Sequence, residues 1–329
     1  MILRFGLIGL GYFGKNYLRL LQQMEGVELV AVANHEPEAF VAHAALLPPA
    51  IKRYQDAAEL IADPAIDAIV IATPASTHVA LAQQALEAGK HALIEKPMVR
   101  SSVEAEELAR AVKESGKILM VGHQYIYHDS IRHLKKELES GRLGRVAFVF
   151  AEHFYFGPVR NDIPLLWETA THELALLDYV FGSREITSVS GKKISVVGGG
   201  QDDFIHTAIS FADEMVLNVS VSWFMPQKIR RMAFIGTKGI ALFDDQLAKQ
   251  KLKFIMQKYP ATCEGDTAST WFGAAEEKII IPDVAAHEPL RNEVEHFISC
   301  IRSGAEPLTG IAHGMRITHL LEEIDSRLG

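Results

Sequence analysis

Gly9-Leu10-Gly11-Tyr12-Phe13-Gly14 constrains the fold of this chain more than any other stretch. It follows an apolar run, Ile2 to Ile8, that reads as a buried strand, and it opens an amphipathic stretch, Lys15 to Met24, of helical period. A second apolar strand, Val27 to Ala33, comes next. G-x-G-x-x-G between a strand and a helix is the setting in which this spacing has a mechanical meaning. Gly9 permits a tight turn, Gly11 lets the backbone approach a pyrophosphate, and Gly14 lets helix and strand pack closely. Amides at the helix start supply an anion site. The expectation is a βαβ unit that binds a dinucleotide.

The alternation of strand and helix continues. Asp67 to Ala72 is a third strand, followed by a helix over Thr77 to Ala88 with Ser76 as its expected N-cap and Gly89 as its stop. His91 to Glu95 is the next strand. Ser101-Ser102-Val103-Glu104 has capping-box spacing before a helix ending near Gly116, and Ile118 to Val121 is a short further strand. This pattern predicts a doubly wound parallel sheet over residues 1–122. Thr73 and Pro74, at a strand's carboxyl end, read as a loop lining the dinucleotide, with a plain turn as the alternative.

After Val121 the rhythm changes. A helix over Asp129 to Ser140 gives way at Gly141-Arg142-Leu143-Gly144 to strands at 146–155, 186–197, 204–211, 215–223 and 229–235. Asp213-Glu214 reads as a hairpin turn. Gly236-Thr237-Lys238-Gly239 does too, since it lacks the spacing of a phosphate loop. The expectation for 123–329 is an α/β domain with a large, mostly antiparallel sheet, closed by helices over 288–302 and 311–327 that can pack back on the first domain. The polar segment Lys249 to Thr270 receives no assignment.

The residue that selects the cofactor lies about 20 positions past the glycines. Here it is Asn34, which can hydrogen-bond a ribose but carries no charge to repel a 2′-phosphate. NAD is expected, with NADP left open because Lys52 and Arg53 lie within reach of the region.

Two further segments carry chemistry. Glu95-Lys96-Pro97 follows the apolar strand His91-Ala92-Leu93-Ile94, and carboxyl ends of strands in open α/β sheets face the ligand crevice. Lys96 therefore stands where a small molecule binds, and Pro97 stiffens the backbone beside it. A surface Glu–Lys pair closing a strand reads equally well from the tripeptide alone. In Leu166-Trp167-Glu168-Thr169-Ala170-Thr171-His172-Glu173, a helix puts Glu168 and His172 on one face, where a carboxylate favours the imidazolium and tunes a proton acceptor. A structural pair is the alternative. A metal site is disfavoured, because Leu176 stands where H-E-x-x-H requires its second histidine.

Composition excludes several classes. The formal net charge of -8 leaves no basic stripe for nucleic acid or anionic membrane. No apolar run reaches membrane-spanning length, and Arg4 interrupts the N-terminal run, which is unlike a signal peptide. Two cysteines, Cys263 and Cys300, suit reduced thiols in a cytoplasmic protein.

Taken together, the glycine fingerprint, Ala72-Thr73-Pro74 with His78, Glu95-Lys96-Pro97, Gly141-Arg142-Leu143-Gly144 and the Glu168-to-His172 segment resemble the Gfo/Idh/MocA oxidoreductases over essentially the whole length. The resemblance implies a Rossmann domain followed by an α/β domain whose open sheet forms a homodimer or homotetramer interface. It implies Lys96 and His172 as catalytic residues, with Glu168 orienting the histidine. It places the cofactor at Gly9, Gly11, Tyr12, Phe13, Gly14, Asn34, Thr73, Pro74, His78, Glu95, Lys96 and Gln124. Tyr125, Tyr155, Arg160 and Trp167 join Lys96 and His172 as substrate contacts, the aromatics being read equally well as core.

The implied activity is hydride transfer between the nicotinamide and a secondary alcohol of a sugar, inositol or nucleotide sugar. The alternatives are a non-catalytic dinucleotide-binding regulator of the same fold and a reductase of a non-sugar carbonyl or imine, such as a linear tetrapyrrole. The chain departs from the family pattern at Glu168 and Ala170, where Asp and Gly are usual, and at Gly122-His123-Gln124-Tyr125, where an Asn-Arg type motif is common. Phe154 to Trp167 resembles a branch associated with sugar-nucleotide and surface-polysaccharide pathways.

Overall fold

Strands buried under helices on both faces need side chains that are apolar on both faces. β1 (Leu3–Ile8) and β2 (Val27–Ala33) meet that need, apart from the exposed Glu28 and from Arg4, which pairs with Asp67 at 3.2 Å. Our computed structural model describes residues 2–157, 159–160, 162–197, 200–256 and 278–328. Within it the chain divides into two units, one of Met1–Gln124 and Leu290–Glu322, the other of Tyr125–Pro289 and Glu323–Gly329.

In the first unit α1 (Gly14–Leu21) links β1 to β2. Next come α2 (Pro37–Ala42), β3 (Lys52–Tyr54), α3 (Ala57–Ala62), β4 (Ala68–Ile71), α4 (His78–Glu87), β5 (His91–Ile94), α5 (Ser102–Ser115) and β6 (Leu119–Val121). The strands run parallel in the order β3-β2-β1-β4-β5-β6. The order reverses between β1 and β4, the switch point at which such sheets bind ligands beyond their carboxyl ends. Phe5, Leu7, Ile69, Val70 and Ile71 are wholly buried in the core.

Both ends of α5 are capped as its sequence indicates. Ser101 Oγ accepts the Glu104 amide at 3.2 Å, and Gly116 closes α5 at φ 60°. The Glu104 carboxylate reaches back to the amide of Arg100, one residue before the cap. Ser76 is not the cap of α4. Ala75–Thr77 form a 3₁₀ turn, the helix starts at His78, and the Thr77 hydroxyl donates to the Pro74 carbonyl.

The second unit holds α6 (Asp129–Glu139), β7 (Val146–Phe156), α7 (Thr171–Phe181), β8 (Ile186–Ile194), β9 (Phe204–Phe211), β10 (Val216–Ser222), β11 (Phe224–Gly236), β12 (Gly239–Asp244), β13 (Leu252–Met256) and β14 (Lys278–Ile280). Its sheet has the order β14-β13-β12-β11-β7-β10-β9-β8. Every pairing is antiparallel except β7 with β10. Both expected hairpin turns are present, with Glu214 at φ 66° and Gly236 paired to Gly239. β13 occupies part of the segment left without assignment; Cys263 lies outside the described residues.

On β7, Val149, Ala151 and His153 are buried while Phe148 and Phe150 are exposed, the period of two expected of a sheet with one covered face. α7 is buried nearly all round, its polar Thr171, His172, Glu173 and Asp178 included. The chain ends with α8 (Pro289–Ser303) and α9 (Ile311–Arg327). Within the first unit α8 lays Phe297 against Phe5, ring centroids 6.1 Å apart. Thr309 joins the edge of β6, accepting the Val121 amide at 2.8 Å and donating its hydroxyl to the Val121 carbonyl. Cys300 of α8 is a buried free thiol whose pKa is raised by that burial.

A Cβ on Gly14 would lie 2.1 Å from the Gly9 carbonyl oxygen, so the helix cannot start there with any larger residue unless the turn opens. Gly14→Ala is expected to cost about 1–3 kcal/mol of stability, the usual range for overpacking, read from the urea midpoint at unchanged m-value.

Candidate functional site

In the first unit the predicted residues gather at the carboxyl ends of β1, β2, β4 and β5. The turn after β1 is pinned from both sides. Gly9, at φ 96°, donates its amide to the Ala33 carbonyl at 2.9 Å, and Leu10 donates its amide to Asn34 Oδ1 at 2.9 Å. A Cβ at Gly11 would meet nothing within 4 Å, so the backbone there is open to approach. An open glycine before a helix N-terminus fits the pyrophosphate of a dinucleotide, with the helix amides supplying the positive end. Tyr12 is exposed, with the Lys15 ammonium 5.0 Å from its ring centre, and Phe13 packs edge-on against Tyr17.

Asn34 has more than the expected ribose role. Its Oδ1 holds Leu10 and its Nδ2 donates to the Glu36 carbonyl at 3.1 Å, which leaves one N–H and one lone pair of the amide for a ligand. The two basic residues nearby are engaged. Lys52 pairs with Asp63 at 2.7 Å, holding that carboxyl down at about 2, and Arg53 donates to the Leu47 carbonyl at 2.8 Å.

The loops after β4 and β5 are tied by His78. Its buried ring places Nε2 3.0 Å from the Thr73 carbonyl and Nδ1 3.0 Å from the Pro97 carbonyl. Thr73 and Thr77 share a hydroxyl–hydroxyl bond of 2.7 Å beside Pro74. Glu95 is buried, and its Oε2 accepts the backbone amide of Lys96 at 3.1 Å. Gln124 opens a short 3₁₀ turn after β6.

In the second unit the backbone over Leu166–Ala170 is a π-turn that runs into α7. A π-turn spaces its hydrogen bonds five residues apart, so Glu168 enters α7 from a wider turn than the regular α-helix the sequence suggests. Glu168 accepts from Arg160 Nη1 at 3.0 Å, and Arg160 also donates through Nε to Asp162 at 3.0 Å. The guanidinium proposed for substrate is thus gripped by two carboxylates. Trp167 is buried and donates to Asp325 at 3.3 Å. The Tyr155 phenol is pushed up, first by burial and then by Glu168.

His172 sits in the first turn of α7, its ring edge-on to Tyr125 at 4.7 Å and stacked on His153 at 5.7 Å. Behind it runs a relay that the sequence reading missed. Arg230 on β11 donates through Nε to His153 Nε2 at 2.8 Å, and His153 Nδ1 lies 3.0 Å from Glu173 Oε1. A guanidinium has only hydrogens to give, so His153 must accept at Nε2 and carry its hydrogen at Nδ1, as the neutral ring. Arg230 also lies 5.8 Å over the Tyr125 ring, whose phenol burial pushes up strongly. The signal in the sequence was His153 itself, a histidine at an inward position of β7.

Among the described residues no three His, Cys, Asp or Glu side chains cluster to hold a metal ion, and no helix is long and apolar enough to cross a membrane. The relay predicts that nitrogen-15 spectra at pH 7 find His153 as the Nδ1–H tautomer; an Nε2–H tautomer contradicts it. Glu173→Leu should cost about 1–3 kcal/mol, the penalty of a stranded buried donor, measured by denaturant titration.

Comparison with known proteins places this geometry. Residues 3–123 match the oxidoreductase family with an NAD-binding Rossmann fold, and residues 131–242 match the GFO/IDH/MocA C-terminal domain. A scyllo-inositol 2-dehydrogenase (NAD(+)) of Bacillus subtilis (strain 168) is 28% identical over 320 residues, covering 93% of this chain and 88% of that protein. A D-apiose dehydrogenase of Paraburkholderia graminis is 23% identical over 96% of this chain and 85% of its own. Among solved structures, a UDP-N-acetylglucosamine 3-dehydrogenase from Acidithiobacillus ferrooxidans superposes with a TM-score of 0.82 at 23% identity, over 99% of this chain and 97% of that one. At that identity the likeness bears on the fold alone. The chain belongs to the GFO/IDH/MocA oxidoreductase family and carries its NAD-binding Rossmann fold.

Proposed function

We propose that the protein oxidises a secondary alcohol of a sugar, inositol or nucleotide sugar, or reduces the corresponding ketone, with NAD as hydride carrier. The observation that carries this reading is Lys96, at the carboxyl end of β5 and fixed through its own backbone amide by a buried carboxylate. The names of the relatives support the substrate class, since two of them act on scyllo-inositol and D-apiose.

NAD, held at the open Gly11 and the amides that begin α1, would supply the hydride acceptor. Lys96 holds the reacting oxygen and stabilises the negative charge that develops as the C–H bond breaks. His172 takes the hydroxyl proton, and the Tyr125 and His153 rings confine its imidazole for that transfer. Glu168, with Arg160, shapes the approach to His172. NAD is favoured over NADP because Lys52 and Arg53 are already engaged by Asp63 and Leu47. The buried free thiol of Cys300 suits a reducing, cytoplasmic setting. A regulator of the same fold would have no use for Lys96 and His172 together, which speaks for turnover.

The exposed face of the large sheet is the surface we assign to self-association. Phe148 and Phe150 are each 44% exposed on β7 and stack on one another at 6.4 Å. Exposed aromatics of this kind mark interaction sites.

Lys96→Met should leave NAD affinity within about 3-fold while lowering kcat by about 10²–10⁴-fold, the scale of a lost proton-transfer or charge-stabilising group. Near-normal turnover removes Lys96 from the chemistry. A screen of free sugars, inositols and UDP-sugars with either dinucleotide, read by nicotinamide absorbance, identifies the substrate class. Calorimetry should show NAD⁺ binding tighter than NADP⁺; the reverse overturns the cofactor preference. Light scattering should report an oligomer that Phe148→Glu with Phe150→Glu breaks into monomers.

A further inference from the structure

Tyr17, Glu95 and Glu293 form a buried hydrogen-bonded chain that the reaction does not itself touch. α1 carries Tyr17 into the core of the first unit, where its hydroxyl lies 2.8 Å from Glu95 Oε1 and 3.0 Å from Glu293 Oε1. Glu293, on α8, is 0% exposed. The other oxygen of Glu95 accepts the Lys96 amide.

The hydrogen count requires one protonated carboxyl in this chain. A phenol has one hydrogen and donates it once. Its second contact with a carboxyl oxygen needs a hydrogen that only the carboxyl can bring. Glu95 already receives two donors, Tyr17 and the Lys96 amide, which favours its ionised form. Glu293 Oε2 meets no donor among the described residues, and a buried carboxylate oxygen left that way is costly. The titratable groups facing Glu293 are Tyr17 from α1 and Glu95 from the end of β5, both acidic. Burial, then the Glu95 charge, holds the Glu293 carboxyl well above its ordinary 4.5. Burial also raises Tyr17 far above its usual value, so it remains a phenol.

We propose that Glu293 is a positioning residue for Lys96. Held as the neutral acid, it donates to Tyr17, Tyr17 donates to the Glu95 carboxylate, and Glu95 grips the Lys96 backbone. Such chains strengthen cooperatively in a low-dielectric interior. Gly122 closes the space around the chain: a Cβ there would lie 3.1 Å from Glu95 Oε1 and 3.3 Å from the Tyr17 hydroxyl. The chain thus ties α1, the end of β5 and α8 to one loop. The inference rests on the catalytic reading of Lys96 and adds to it a group distant in sequence.

Infrared difference spectra between the wild type and Glu293→Gln at pH 7 should contain the carbonyl stretch of an un-ionised carboxyl. An ionised carboxylate signal alone overturns the protonation. In kinetics, Glu293→Ala should lower kcat by about 10-fold or more, the scale of a small misplacement of a reacting group, with NAD affinity within about 2-fold. Glu293→Gln, still a neutral donor, should restore most of the loss. Equal kcat in all three proteins, or a change confined to KM, overturns the positioning role.

Tyr17→Phe breaks the same chain, so its loss and that of Glu293→Ala should fall well short of adding in the double variant, whereas full additivity contradicts a shared chain. If Glu293→Ala does not fold, Glu293→Gln and Tyr17→Phe carry the kinetic arm. If Lys96→Met retains turnover, the catalytic reading fails while the infrared result still decides the state of Glu293.

The raised pKa also has a stability signature. The folded carboxyl keeps a proton that the unfolded chain has lost, so this contribution is full below 4.5 and is lost as pH rises through the folded value. Glu293→Gln should remove that slope from a pH series of denaturant midpoints.

Discussion

At the turn between β1 and α1, the space a Gly14 Cβ would fill is already held by the Gly9 carbonyl, 2.1 Å away. That approach sets where α1 begins and which face it turns to the core. Phe13 at its cap then packs edge-on against Tyr17, and Tyr17 reaches Glu95 at the end of β5. From there the constraint passes through the Glu95 carboxylate to the Lys96 amide. One close backbone contact therefore bears on both the turn that stands open at Gly11 and the loop that carries Lys96.

A second set of ties works on the same loops. The His78 ring spans from the Thr73 carbonyl to that of Pro97, and Asn34 and Gly9 anchor the glycine turn to the end of β2. Residues that read as ligand contacts in sequence are in large part braces for the loops. The same is true in the second unit, where Arg160 is gripped by Asp162 and Glu168 and Trp167 is pinned by Asp325. Within each unit, loops braced this way have their geometry set before a ligand arrives.

Much of the fold was legible because its signals are local. Glycine spacing, apolar runs of strand length and the Gly116 stop are each written within a few neighbouring residues, and the strands they predict are present within a few residues of their bounds. The Ser76 cap was misread because the Thr77 hydroxyl turns back to Pro74, a choice of partner that spacing does not reveal. The π-turn before His172 escaped for a similar reason, since a five-residue spacing leaves no mark in an apolar pattern. The relay of Arg230, His153 and Glu173 joins β11, β7 and α7, and only the antiparallel register that opposes Arg230 to His153 makes it visible. Glu293 did leave a trace: it interrupts the apolar stripe of α8 formed by Leu290, Val294 and Phe297. What it does there depends on Tyr17, hundreds of residues earlier in the chain.

The central claim is direct transfer of a hydride from a carbinol carbon to the nicotinamide, with the proton leaving separately through the protein. Isotope tracing tests it most directly. Take the alcohol that reduces NAD⁺ in the screen, deuterate its carbinol carbon, run the reaction in ordinary water, and weigh the reduced dinucleotide by mass spectrometry. The account predicts one deuterium retained at the nicotinamide ring. Deuterium lost to water, or no reduction by any alcohol while NAD⁺ demonstrably binds, would contradict it.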